Sequence, residues 1–211
     1  RFIGKVQELA LGYQGAAGAF ASMAALYGVT LPEDEIKRIV AAWRRANNRI
    51  AQFWYEVETA ARSAILNRGE EFAAGVLVFD RVGAWMRCRL PSGRFLCYPS
   101  PMVDGDTGKI TYMGVDPYTK QFKRLKTYGG KLVENATQAV ARDVLARSMP
   151  RVEKAGFAIV LTVHDEIITE APDTPEFNAG ALAALMTAGE PWSAGLPLSA
   201  AGFEAKRYRK E

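Results

Sequence analysis

Val160-Leu161-Thr162-Val163-His164-Asp165-Glu166-Ile167-Ile168-Thr169-Glu170 is the stretch on which the reading of this 211-residue chain turns. A β-branched apolar run climbs to two adjacent carboxylates and a second apolar run leaves at once, the pattern of strand, tight turn and strand. His164, the only histidine in the chain, stands immediately before the acid pair. Two neighbouring carboxylates at the tip of a rigid hairpin suit a divalent cation held in an open site. A surface hairpin with a solvated turn is the commoner meaning of such a triplet, because charged residues collect at hairpin tips.

Outward from this hairpin the chain is mixed. Residues 131–154 carry the longest helical period, with Leu132, Ala136, Ala139, Val140, Val144 and Met149 as its expected buried stripe and Gly156 as its end. Residues 75–79, 84–90 and 94–98 read as strands, the last two joined by Pro91-Ser92-Gly93. A second hairpin, 109–115 with 120–125, turns at Asp116-Pro117. The polar run Asp104-Gly105-Asp106-Thr107-Gly108 lacks the later ligands of a calcium loop and reads as a turn. Helices are predicted over 1–12, 16–27, 32–46 (with Thr30 as a possible cap) and 49–67, and a last one to about 187 capped by Thr174-Pro175-Glu176. The fold class is therefore α+β.

On the first predicted helix Arg1, Lys5, Leu9 and Tyr13 recur every four residues and share one face, with Phe2, Val6 and Ala10 beside them. A row of two cations and an aromatic can hold a triphosphate along a helix and support a base at its far end. An amphipathic helix whose cations reach to water has the same spacing.

The chain is 49% hydrophobic and 24% charged, ordinary globular material. Its 27 Lys and Arg exceed 23 Asp and Glu, and the formal net charge of +4 tilts the balance toward a polyanionic partner. The cations cluster at Lys120, Lys123, Arg124 and Lys126 and again at Lys206, Arg207, Arg209 and Lys210. Either cluster alone is equally a solvated face or a frayed tail. No apolar run approaches the roughly 20 residues of a membrane span and no secretory pattern opens the chain, so a soluble cytoplasmic protein is expected. A two-residue loop at Ser92-Gly93 would set Cys88 and Cys97 directly across a hairpin, yet two cysteines in such a chain are expected to stay reduced.

Set side by side, the two ends carry a family likeness. Arg1-x3-Lys5-x7-Tyr13 resembles the motif B helix in the fingers of family A DNA polymerases, and Val163-His164-Asp165-Glu166 resembles motif C of their palm. Between them, Glu134-Asn135-Ala136-Thr137-Gln138-Ala139-Val140-Ala141-Arg142-Asp143 is similar to the palm helix that precedes motif C. Leu90-Pro91-Ser92-Gly93-Arg94-Phe95-Leu96-Cys97-Tyr98 resembles a hairpin of phage-type members.

The resemblance implies template-directed nucleotidyl transfer from deoxynucleoside triphosphates to a primer–template DNA, with Mg2+ in a two-metal site. Helical fingers with β-hairpins would span 1–127 and part of an antiparallel palm 128–211, with motif A, the thumb and any exonuclease domain lying outside this sequence. By the same resemblance Arg1, Lys5, Leu9 and Tyr13 would bind the incoming nucleotide, with Lys5 acting on the departing pyrophosphate. Asp165 and Glu166 would ligate the metal and His164 would meet the primer end. Gln138, Asn135 and Arg142 would contact DNA, and Lys123 and Lys126 would meet phosphates.

Three positions depart from the family pattern. Leu9 stands where an aromatic is usual, Glu134 stands where an asparagine is usual with Asn135 next to it, and the aspartate of motif A is missing. The chain alone is therefore expected to be inactive, and its uncovered palm edge could pair copies. A single-subunit RNA polymerase is an alternative, although those enzymes usually follow the motif C aspartate with serine. A non-catalytic nucleic-acid-binding module is another, needing only a basic surface.

Overall fold

The computed structural model describes residues 2–207, and over them the chain is α+β. Four helices come first: α1 (Phe2–Leu11), α2 (Ala17–Leu26), α3 (Glu33–Ala46) and α4 (Asn48–Leu66). Seven strands follow: β1 (Phe72–Ala74), β2 (Leu77–Val82), β3 (Trp85–Arg89), β4 (Phe95–Pro99), β5 (Met102–Val103), β6 (Ile110–Val115) and β7 (Phe122–Thr127). After α5 (Gly129–Lys154) come the hairpin β8 (Ala158–Val163) and β9 (Glu166–Glu170), then α6 (Ala179–Thr187). The strands form antiparallel sheets in the orders β1-β2-β3-β4, β5-β6-β7 and β8-β9. Among the described residues no helix is long and apolar enough to cross a membrane. The chain divides into two compact units, Arg1–Thr137 and Gln138–Glu211, the division falling inside α5.

In the first unit α3 is amphipathic for a simple reason. Ile36, Val40 and Trp43 fall on one face and are buried, while Glu33, Asp34 and Glu35 in its first turn and Arg44 and Arg45 in its last complement the dipole. Thr30 does not cap it; Pro32 occupies the cap position without a side-chain bond. The rings of Trp43 and Trp54 lie parallel with centroids 6.0 Å apart. Both indoles then fix α1: Trp43 Nε1 donates to Glu8 Oε1 at 3.1 Å, and Trp54 Nε1 donates to the Gly12 carbonyl at 3.1 Å.

The start of α5 is capped from a distance. The Gly129 N–H donates to Glu58 Oε2 at 2.9 Å and the Gly130 N–H to Gln14 Oε1 at 2.8 Å, satisfying two of the free donors that every helix start exposes. Arg62 holds Glu58 in place by an ion pair at 3.0 Å and also donates to the Gly108 carbonyl. No side chain fits at the joint. A Cβ on Gly129 would overlap the Trp54 carbonyl, and one on Gly130 would overlap the Tyr13 carbonyl.

Among the sheets, the two-residue loop at Ser92-Gly93 is corrected. Pro91-Ser92-Gly93 makes a three-residue turn, with Gly93 at φ 85°, and this moves the register by one from that of a two-residue loop. Cys88 therefore faces Leu96, and Cys97 faces Arg87. The two cysteines are free and on opposite faces, Cys88 buried and Cys97 exposed, and burial pushes the Cys88 thiol up to about 12. Strands β1 and β5, of 3 and 2 residues, were not predicted because so short a run shows no alternation.

In the second unit the buried side of α5 differs from the predicted stripe. Ala139 is buried as expected, but Val140, Val144 and Met149 are half-buried, and Asp143, Leu145, Ser148 and Val152 lie deeper. Ser148 can enter because its hydroxyl donates to the Leu145 carbonyl at 2.7 Å, and Pro150 interrupts the helical bonding just beyond it. Arg151 ties α5 to the end of α6, donating to the Leu185 carbonyl at 2.9 Å, the Gly189 carbonyl at 3.1 Å and Glu190 Oε1 at 2.6 Å. The expected cap at Thr174-Pro175-Glu176 is also corrected: α6 starts at Ala179, and Asn178 caps it by accepting from the Ala181 N–H at 2.9 Å. Phe177, with its ring 5.0 Å from that of Phe157, holds residues 174–177 in a turn before the helix can begin.

Candidate functional site

The predicted site residues divide between the two units. Lys5, Leu9, Tyr13 and Asn135 belong to the first and Gln138, Arg142, His164, Asp165 and Glu166 to the second; Arg1, Arg209 and Lys210 lie outside the described residues.

On α1, Val6 and Ala10 are buried, which turns Lys5 and Leu9 outward; Leu9 is 48% exposed, high for a leucine. The Lys5 ammonium sits 5.5 Å from the centroid of the Tyr27 ring. An aromatic face steadies a cation without neutralising it, so the charge stays available to an anion. Sequence reasoning passed over Tyr27; the signal was its place at the end of α2, just before Gly28 at φ 69°.

The four-residue recurrence does not extend to Tyr13. The helix ends at Leu11, where the Gly12 N–H bonds the Glu8 carbonyl at 3.1 Å, and Tyr13 lies half-buried in the turn beyond. Its carbonyl lies against Gly130 and so touches the start of α5. Asn135 is half-buried and its amide donates to the Tyr98 hydroxyl at 3.2 Å. Burial holds the Tyr98 phenol well above its usual range, so it remains a neutral partner. Glu134 pairs with Lys131 at 2.9 Å.

In the second unit Val163 pairs with Glu166 and leaves His164-Asp165 as a two-residue turn. His164 has φ 55° and Asp165 does not share it, which is the φ pattern of a type II′ turn. Glycine is the usual residue there, and a side chain in that conformation costs about 1–2 kcal/mol. His164, Asp165 and Glu166 are all exposed at the tip. The pairing shifts between Ile159 and Leu161, so Val160 bulges; Val160 and Leu161 are 53% and 49% exposed. Gln138 and Arg142, four residues apart on α5, are exposed.

Among the described residues no group of three or more His, Cys, Asp or Glu side chains gathers to hold a metal. The acid pair must be judged alone. Mg2+ takes one or two carboxylates and fills its octahedron with water and phosphate oxygens, so an exposed Asp–Glu pair fits part of a magnesium shell. It does not complete a site for two ions.

No family model matches this sequence, and no solved structure matches it. The chain is similar to the DNA polymerase of Bacillus phage SP02, with 44% identity over 214 residues that cover 99% of this chain and 32% of that protein. It thus spans about a third of the length of the curated relative it matches.

Proposed function

We propose that this chain is the fingers and palm portion of a phage-type, family A DNA polymerase, with fingers over 1–127 and palm over 128–211. The observation that carries the reading is the 44% identity to a protein named DNA polymerase, which runs over 99% of the chain and so includes both the α1 helix and the β8–β9 tip. The partners are primer–template DNA and deoxynucleoside triphosphates, and the enzyme works in the cytoplasm.

Under this reading each residue takes a role. Lys5, steadied over Tyr27 yet still charged, binds the triphosphate and neutralises or protonates the departing pyrophosphate. Leu9 presents an apolar surface to the sugar, and Tyr13 lies beneath the nascent base pair, with Arg1 a further phosphate ligand. Asp165 and Glu166 hold Mg2+, which when bound supplies activation of the primer hydroxyl and charge stabilisation in the displacement. His164 orients the primer end. Gln138 and Asn135 test pair shape through minor-groove acceptors common to all pairs, and Arg142, Lys123 and Lys126 bind phosphates.

Two adjacent carboxylates cannot offset two divalent cations and a triphosphate alone, so a third, from outside these residues, is required and the 211-residue chain alone is inactive. Primer extension with Mg2+ and four deoxynucleotides, with the chain alone and with the upstream polymerase segment added, tests this. Extension on complementation only, abolished by Asp165→Ala, is expected. Extension by the chain alone at the rate of an intact enzyme would contradict the half-site argument. If every combination binds DNA without extending it, the polymerase reading fails.

A further inference from the structure

One hairpin carries a strong local excess of positive charge. Residues 109–127, which hold β6, its turn and β7, contain five cations (Lys109, Lys120, Lys123, Arg124, Lys126) and one carboxylate (Asp116), a surplus equal to the formal net charge of +4. The rest of the sequence sums to zero, although Lys206, Arg207, Arg209 and Lys210 cluster again further on and Asp104 and Asp106 stand just before the hairpin. Strand β7 is also the edge of its sheet, with Phe122, Lys123, Arg124 and Lys126 exposed.

Register sorts these side chains. Val115 pairs with Phe122, Met113 with Arg124 and Thr111 with Lys126, so Phe122, Arg124 and Lys126 share one face. The opposite face turns inward at the base of the hairpin, with Ile110 and Thr127 buried and Tyr112 edge-on to Tyr98 at 5.1 Å; Thr111 is buried on the first face as well, where Arg124 donates to its hydroxyl and to the Ser100 carbonyl, each at 3.1 Å. The outward face is apolar as well as basic: Phe122 is 64% exposed and Val115 59%.

The turn is rigid. Asp116 accepts from the Thr119 N–H at 2.8 Å and the Tyr118 N–H at 2.9 Å and pairs with Lys123 at 2.9 Å. These bonds, the Thr119 N–H foremost, hold its carboxyl well below the usual carboxylate range. The turn presents Tyr118, at 91% the most exposed of the large hydrophobic side chains among the described residues, beside Lys120. Lys109, Lys120 and Lys126 form no ion pair among the described residues.

We infer that the β6–β7 hairpin is a binding arm for single-stranded DNA, with Lys120 and Lys126 on the phosphates and Tyr118 and Phe122 stacking on unpaired bases. Edge lysines also deter sheet-to-sheet pairing, but that need is met by charge and does not call for exposed aromatics. Duplex binding likewise needs only the cations, whereas aromatic platforms gain contact from bases whose faces are free. The choice of DNA over RNA rests on the polymerase reading; the charge and stacking argument does not.

The test is fluorescence anisotropy of the 211-residue chain with labelled oligo(dT), oligo(U) and a blunt duplex across a salt series. Lys120→Ala with Lys126→Ala should weaken oligo(dT) binding about tenfold at low salt and flatten the log–log salt slope by roughly 1.4. Tyr118→Ala should weaken oligo(dT) binding about fivefold or more and leave duplex binding unchanged. Circular dichroism confirms that the variants fold. Wild-type affinity in the lysine variant overturns the proposal, as does equal loss for duplex and single strand or tighter hairpin-dependent binding to oligo(U). Asp165-dependent extension with unaltered oligo(dT) binding in the hairpin variants sinks this inference alone. Hairpin-dependent binding without extension under any complementation sinks the polymerase reading alone.

Discussion

His164 sits where the backbone disfavours a side chain. Its φ of 55° at the tip of β8–β9 is a conformation glycine adopts freely and a side chain resists. His164→Gly should therefore leave unfolding stability unchanged or slightly raised, whereas the β-branched His164→Val should lower it by about 1–2 kcal/mol in a urea titration. Both should impair primer extension in a complemented enzyme. A histidine that can be replaced by valine without loss of stability would show that the turn is not held as described. The cysteines make a second residue-scale test. With its thiol pushed up to about 12 by burial, Cys88 stays protonated and shielded at pH 8, while Cys97 is exposed. A thiol reagent should modify one cysteine per native chain and both after denaturation; rapid modification of two would contradict the register of β3 and β4.

At the scale of elements, the joint between the end of α1 and the start of α5 is sensitive to any added side chain. Gly129→Ala and Gly130→Ala each force a methyl into a backbone carbonyl and should each cost about 2 kcal/mol or more, far above the usual cost of a helix-start substitution. Gln14→Ala, which removes only one capping acceptor, should cost about 1 kcal/mol. Thermal unfolding of the three variants measures this, and a mild effect of both glycine variants would contradict the close approach. The sequence announces each of these helices through its own period and breakers. It does not announce the joint, because the acceptors for the first N–H groups of α5 come from Glu58 and Gln14, 71 and 116 residues away. Alternation around a β-branched run made the β8–β9 tip legible, while the Val160 bulge inside it left no sequence signal. Thr174-Pro175 drew the expected start of α6 forward because proline favours a first helical turn, and Phe177 against Phe157 decided otherwise.

At the scale of the whole molecule, the α+β class and the acid tip followed from pattern, whereas the nucleotide and metal roles came from resemblance and rest on similarity to one polymerase. Composition suggested a polyanionic partner, and the β6–β7 hairpin carries five cations against one carboxylate. Lys5 over Tyr27 was hidden from the sequence because a cation–π pair between two helices leaves no spacing to read. The central claim is that Asp165 belongs to a polymerase active site. Its most direct test is a chimera in which this chain replaces the matching third of the phage SP02 polymerase, assayed for primer extension. The account predicts Mg2+-dependent extension with deoxynucleotides, lost at least a hundredfold on Asp165→Ala with primer–template binding retained. A folded chimera that extends primers equally well with Asp165→Ala would contradict it.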